Sequence, residues 1–164
     1  MGDDRRDAAG PRADGTPRGP SRTCGSGSRG RPSARRRASA RDGLKAAGYR
    51  LGCVTNKAAQ FTIPLLQDLG VYDEFELVIS GDTLAKKKPD PLPLLHAAQH
   101  FGVEPANALM IGDSQSDVKA ARAAGFQIVC MSYGYNHGED IRDYHPDAVV
   151  DSMLEINGLL EAAA

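Results

Sequence analysis

The first 41 residues contain no leucine, isoleucine, valine, phenylalanine or tyrosine. Such a stretch cannot offset the ordering entropy of its own backbone, roughly 1–2 kcal/mol per residue, so it is expected to stay disordered. Nowhere does an apolar run approach the roughly 18–20 residues of a membrane span. No apolar core of the kind found in export signals follows Arg5-Arg6. Asp3, Asp4 and Asp7, together with nearby prolines and glycines, argue against an amphipathic targeting helix. The three cysteines, Cys24, Cys53 and Cys130, are odd in number and widely spaced. That excludes a disulfide framework and a zinc site. Cys53 and Cys130 sit in apolar runs, where a thiol reads as a small buried hydrophobe. A reduced, cytoplasmic compartment is the simplest expectation.

What the first 41 residues do contain is eleven Arg, seven Gly, five Ser and four Pro. Their formal charge is 11 − 4 = +7, whereas the rest of the chain carries 9 − 17 = −8, and the two sum to −1. The basic segment includes Ser28-Arg29-Gly30-Arg31 and Arg35-Arg36-Arg37, which allows a nucleic-acid-binding tail. It has no interleaved aromatics for base stacking, so a solvated tail is the plainer reading. Arg, Gly, Ala, Pro and Ser are also what GC-rich DNA encodes in a wrong reading frame. The remaining 164 − 41 = 123 residues are rich in Leu, Val and Ile and are enough for one core.

From residue 42 onward, strand-like and helix-like segments alternate. Residues 44–47 read as a last helical turn stopped by Gly48, followed by strands at 49–54, 75–80, 108–111, 126–131 and 148–150. Helical spacing runs over 57–69, 92–101 and 116–124, stopped by Gly70, Gly102 and Gly125, and a last helix follows Ser152. Pro64 is expected to bend the first of these helices or to mark its late start. Apolar strands alternating with helices predict an α/β fold, a doubly wound parallel sheet of Rossmann-like type covered on both faces. Ligands of such sheets bind beyond the carboxyl ends of the strands.

Three of those ends are polar without a packing reason: Thr55-Asn56-Lys57, Lys86-Lys87-Lys88-Pro89-Asp90-Pro91 and Gly112-Asp113-Ser114-Gln115-Ser116-Asp117. Asp113 and Asp117 are carboxylates that suit a hard cation such as Mg²⁺. Equally, Asp113 or Ser114 can serve as a helix cap. Thr55 and Asn56 offer a hydroxyl, an amide and backbone N–H groups to a phosphate, or again a cap. One lysine of the run can neutralise a phosphate as a point charge, although lysine runs are commonly solvated loops. Pro89 and Pro91 constrain the backbone just after Lys88. His96, His100 and His145 have no ligand spacing and read as ordinary histidines.

In this order and spacing the three stretches resemble the motifs of the haloacid-dehalogenase-like hydrolase superfamily, a group of Mg²⁺-dependent phosphatases. The matching residues are Val54-Thr55-Asn56-Lys57, Lys88-Pro89-Asp90-Pro91 and Gly112-Asp113-Ser114 with Asp117, and the resemblance runs from about Leu44 to Leu160. Gly81-Asp82-Thr83-Leu84 and the stretch from Ser132 to Gly138 are similar to bacterial phosphoglycolate phosphatases. The latter stretch reads either as a loop at the mouth of a site or as a surface loop packed on the last helix. The resemblance implies that Thr55 hydrogen-bonds a transferred phosphoryl group with Asn56 beside it. It implies that Lys88 balances charge, that Asp113 ligates Mg²⁺, and that Asp117 holds a metal-bound water or orients the loop. The implied reaction is hydrolysis of a small phosphorylated metabolite, 2-phosphoglycolate, to glycolate and phosphate.

The family's chemistry begins with an aspartate nucleophile on the first strand, followed by a cap domain. The sole lookalike is Asp14-Gly15-Thr16, where Arg12 occupies the nucleophile position and no apolar strand precedes. An arginine cannot attack phosphorus, and loss of a nucleophile lowers activity by something on the order of 10⁶. The chain as written is therefore expected to be inactive, a remnant that binds phosphate or pairs with another subunit. In the family the nucleophile strand lies between the strands corresponding here to 49–54 and 108–111. Without it those two are expected to lose a ladder partner and become open edges.

Overall fold

The computed structural model describes residues 42–134 and 138–163. The readings made for residues 1–41, and for 135–137 within the loop after the fourth strand, lie outside them. The elements are β1 (Gly52–Val54), α1 (Ala59–Asp68), β2 (Leu77–Ile79), α2 (Leu92–Phe101), β3 (Leu109–Gly112), α3 (Gln115–Ala124), β4 (Gln127–Met131), β5 (Ala148–Val150) and α4 (Met153–Ala163). Residues 42–46 form the helical turn that precedes Gly48.

Every strand pair is parallel. The strands nevertheless form two sheets, one ordered β1-β2 and the other β3-β4-β5. The doubly wound α/β pattern holds, but the single sheet of the sequence reading is interrupted between β1 and β3. No strand among the described residues lies there.

The larger sheet is covered on both faces, and alternation along β4 shows how. Ile128 and Cys130 turn to a cluster with Leu94 and Ala98 of α2 and with Val118, Ala121 and Ala124 of α3. Val129 and Met131 turn to the opposite cluster with Val150 and Ile156. A period of two places successive side chains on opposite faces, so a strand apolar throughout needs helices on both. The alanines of α3 let that helix approach the sheet closely, and Ala120 and Ala121 are fully buried.

Helix ends follow local chemistry. Gly102 (φ 66°) and Gly125 (φ 79°) adopt the left-handed conformation just after α2 and α3. The next amides turn back, Val103 to the Ala98 carbonyl at 3.1 Å and Phe126 to the Ala121 carbonyl at 2.9 Å. These bonds satisfy carbonyls that the helix itself leaves open.

Helix α1 departs from the sequence reading by starting at Ala59 and running through Pro64. Ala58 precedes it and offers no capping side chain. The cap comes instead from Asp82, whose Oδ1 accepts the Ala59 N–H at 2.9 Å from across the fold. Replacing Asp82 with alanine is expected to lower stability by about 1 kcal/mol. The check is the midpoint of urea denaturation, and an unchanged midpoint would show that this bond contributes nothing net. Among the described residues no helix is long and apolar enough to cross a membrane.

Candidate active site

The three polar stretches meet at the carboxyl ends of β1 and β3, and Lys88 joins them. Of the three consecutive lysines, Lys86 and Lys87 are exposed while Lys88 is buried. Lys86 is spent on a neighbouring carboxylate, its Nζ 2.9 Å from Asp90 Oδ2. The Lys88 ammonium donates to the Val54 carbonyl at 2.6 Å, at the end of β1. It also lies 2.6 Å from Asp117 Oδ1, in the first turn of α3. The Lys88 backbone is held as well, because Asn56 Nδ2 donates to the Lys88 carbonyl at 2.7 Å. The Lys88–Pro89 peptide bond is cis. A lysine buried this way needs partners at its charged end, and a carboxylate with a backbone carbonyl supplies them.

Asp117 is committed on both oxygens. While Oδ1 faces Lys88, Oδ2 accepts the backbone N–H groups of Asp113 (3.0 Å) and Ser114 (3.1 Å) and the Ser114 hydroxyl (2.9 Å). Ser114 is the N-cap of α3 and Asp117 stands at its third position, so the carboxylate reaching back is half of a capping box. The capping reading of this stretch is thus realised at Ser114 and Asp117. Burial alone would raise the Asp117 carboxyl, but the Lys88 ammonium and the N–H donors outweigh it and hold the group below the usual carboxylate range.

Asp113 follows β3 directly and is exposed. Its backbone is fixed by the Asp117 bond and by the loop after β4. Gly134 approaches so closely that a Cβ there would overlap the Asp113 carbonyl, well inside the 3.0 Å that real Cβ atoms keep. Gly81 plays the same part on the other side, where a Cβ would overlap the Asn56 carbonyl. Gly81, Asp82 and Gly134 lie in the two stretches, 81–84 and 132–138, that carried the narrower resemblance, but the sequence reading gave none of them this packing or capping part. Their signal was available as small and polar residues directly after β2 and β4, but their contacts are between segments distant in the chain.

Thr55 begins the turn after β1, with its N–H donating to the Ile79 carbonyl at 2.9 Å and its Oγ1 accepting the Lys57 N–H at 3.2 Å. Because α1 begins at Ala59, Thr55 and Asn56 lie in the turn ahead of the helix rather than at its first residues. Cys130 pairs in register with Gly112, next to the site. Burial, followed by the nearby Asp117 and Asp113 charges, pushes its thiol up to about 12. It stays protonated at neutral pH and is no nucleophile. His96, His100 and His145 are exposed, His100 with Nε2 3.6 Å from Glu76 Oε1.

Arranged in this way, the strand ends present a threonine hydroxyl, a buried ammonium and an exposed aspartate. That is a set suited to an anionic group and a cation together. Among the described residues there is no group of three or more His, Cys, Asp or Glu side chains placed to hold a metal. Mg²⁺ commonly takes one or two carboxylates and keeps several waters. Asp113 therefore fits as one ligand of such an ion, whereas Asp117 is occupied.

The sequence profile of the family described as haloacid dehalogenase-like hydrolase matches residues 39–131. A phosphoglycolate phosphatase of Nitrosococcus oceani is 73% identical over 121 residues, covering 74% of this chain and 54% of that protein. Among solved structures, one described as a predicted phosphoglycolate phosphatase from Haemophilus somnus superposes with a TM-score of 0.73 at 35% identity, covering 75% of this chain and 55% of that one. CbbY from Rhodobacter sphaeroides, solved in complex with phosphate, superposes with a TM-score of 0.65 at 27% identity, covering 73% of this chain and 53% of that one. The chain spans about half the length of the curated relatives it matches.

Proposed function

The chain belongs to the haloacid dehalogenase-like hydrolase family, and from that premise we propose that it carries the phosphate- and metal-binding portion of a phosphomonoester hydrolase acting on 2-phosphoglycolate. The observation that carries this reading is the buried Lys88 ammonium, held between the Val54 carbonyl and Asp117 where two strands end. Nothing in packing calls for a cation at that place. Phosphoryl transfer does, because its transition state spreads negative charge over equatorial oxygens, and catalysis is largely positioning and neutralisation. The relatives named phosphoglycolate phosphatase supply the substrate, and the phosphate complex of CbbY supports an anion site on this fold.

Each residue has a part in that reading. Thr55 offers its hydroxyl to a phosphoryl oxygen. Lys88 sets a positive potential under the phosphate while its own position is secured by Asn56 through the backbone. Asp117 orients the turn that carries Asp113, and Asp113 would hold Mg²⁺. When bound, the cation would offset phosphate charge as a Lewis acid. No strand of the described residues lies between β1 and β3, where the family resemblance places the nucleophilic aspartate. Binding without turnover is therefore what we expect of this chain by itself.

Calorimetric titration of the chain with 2-phosphoglycolate, with and without Mg²⁺, tests this. Saturable binding that strengthens with Mg²⁺ is expected, weakened about tenfold or more in Asp113→Asn, the loss of a metal ligand on the scale of outer-shell effects or larger. Binding indifferent to both Mg²⁺ and Asp113→Asn would sink the reading. Phosphate release abolished by Asp113→Ala would instead overturn the expectation of binding without turnover.

A further inference from the structure

The segment that follows β4 meets the turn carrying Asp113 at two places. Gly134, near its start, lies tight against the Asp113 carbonyl. At its far end the short 3-10 turn Ile141–Tyr144 packs on α3, with Ile141 buried in the cluster that holds Val118 and Ala121. Tyr144 is half-buried there, and its hydroxyl meets two side chains at once, Gln115 and Glu139. Gln115 is the first residue of α3, two positions after Asp113 and 29 residues from Tyr144. Lys119, one turn further along α3, has its Nζ 5.9 Å from the centre of the Tyr144 ring.

The direction of these bonds follows from what each group can give. An ionised carboxylate only accepts, so the single Tyr144 proton goes to Glu139 Oε2. The phenolic oxygen then has lone pairs but no proton to spare, and Gln115 meets it through an amide N–H from Nε2. The Glu139 bond also raises the phenol above its ordinary range, which keeps the donor protonated at neutral pH. Packing accounts for the ring, which lies against the same cluster as Ile141, but not for the hydroxyl. What the hydroxyl adds is a tie between the first residue of α3 and the segment after β4. The turn at 113–115 is thus held from two sides. Asp117 Oδ2 takes the Asp113 and Ser114 amides, while Gly134 and Tyr144 hold Asp113 and Gln115 from the segment after β4.

We infer that Tyr144 is a positioning residue that, through Gln115, fixes the turn presenting Asp113 to a divalent cation, a role that rests on reading Asp113 as a Mg²⁺ ligand. It acts on the geometry of the turn rather than on the cation itself. A ligand binds a metal well only when groups outside it hold its orientation. Tyr144 lies outside all three polar stretches, yet its hydroxyl reaches the turn that follows β3.

Tyr144→Phe keeps the ring and removes only the hydroxyl. In calorimetric titrations with 2-phosphoglycolate, affinity in the presence of Mg²⁺ is expected to fall about tenfold, the low end of outer-shell effects. Affinity without Mg²⁺ is expected to stay within about twofold of the parent, because Thr55 and Lys88 are held by separate bonds. A merely structural role would weaken both alike. Gln115→Leu reaches the same tie from its other end, and Tyr144→Phe is expected to add nothing on that background. Hydrogen exchange of the ligand-free protein is expected to quicken several-fold at residues 113–115 in Tyr144→Phe and to stay unchanged at 52–54. Undiminished strengthening by Mg²⁺ in Tyr144→Phe, equal losses with and without Mg²⁺, or losses at the two positions that add, would overturn the inference. A parent chain indifferent to Mg²⁺ would sink the proposed function first, and the metal part of this role with it. The tie itself is then decided by exchange: quicker at 113–115 upholds it, and unchanged refutes it.

Discussion

Replacing Lys88 with methionine is expected to destabilise the chain by about 3–5 kcal/mol, the cost of leaving a buried carboxylate without its counter-ion. Methionine keeps the length of the side chain and its apolar stem, so the loss isolates the charge. Asp117 would retain its three donors on Oδ2 but lose the ammonium on Oδ1, and the Val54 carbonyl would lose its donor. Urea denaturation at neutral pH gives the magnitude. A second substitution, Asp117→Asn on top of Lys88→Met, is expected to restore part of the loss, because an amide carries no charge to strand. The cycle of single and double variants then measures the coupling.

Acid should show the same pair. The Asp117 carboxyl is lower in the folded state than its unfolded value. Its contribution is thus present above the unfolded value and is lost as pH falls through the folded one. Without Lys88 that folded value rises, and acid unfolding is expected to begin at higher pH in Lys88→Met than in the parent chain. A Lys88→Met variant within 1 kcal/mol of the parent, with an unmoved acid limb, would mean the pair is solvated rather than buried.

Gly134→Ala is expected to cost about 2–3 kcal/mol, toward the upper end of ordinary overpacking. The obstructing atom is the Asp113 carbonyl, a backbone group, so no side-chain rotation relieves the overlap. Either the loop after β4 withdraws or the end of β3 shifts, and both move Asp113. The variant should therefore lose Mg²⁺-dependent ligand binding along with stability, a pairing readable by calorimetry and urea titration on one preparation. Gly158→Ala is the control. It lies in α4 with nothing within 4 Å of the added methyl group. There alanine is expected to stabilise by roughly 0.5–1 kcal/mol, the usual helix-interior gain. Equal effects at both positions would show that the close approach of Gly134 has no structural weight.

Much of this architecture was legible along the chain because its causes are local. Gly102 and Gly125 stop helices because left-handed residues are cheapest for glycine, and apolar runs such as residues 128–131 declare strands buried on two faces. The order of Thr55, Lys88 and Asp113 carried the family resemblance. Less legible was the division of labour inside the polar stretches. Three adjacent lysines differ little in sequence, yet only Lys88 is buried, because the turn through Pro89 delivers it between two strand ends. Asp117, read as a metal-side residue or an orienter of the loop, spends both oxygens inside the protein.

The sequence by itself determined the αβ alternation, the helix stops and the identity of the polar groups at the strand ends, since periodicity and backbone preference act over a few residues. It also raised the expectation that β1 and β3 would lack a neighbour. Only the tertiary structure decided how these groups meet: Asn56 bound to the Lys88 backbone, Asp82 capping α1, Gly134 against Asp113, and a cleft of about 650 Å³ where two sheet edges face each other. Those contacts join segments tens of residues apart. They depend on how strands and helices pack in three dimensions, which no local pattern encodes.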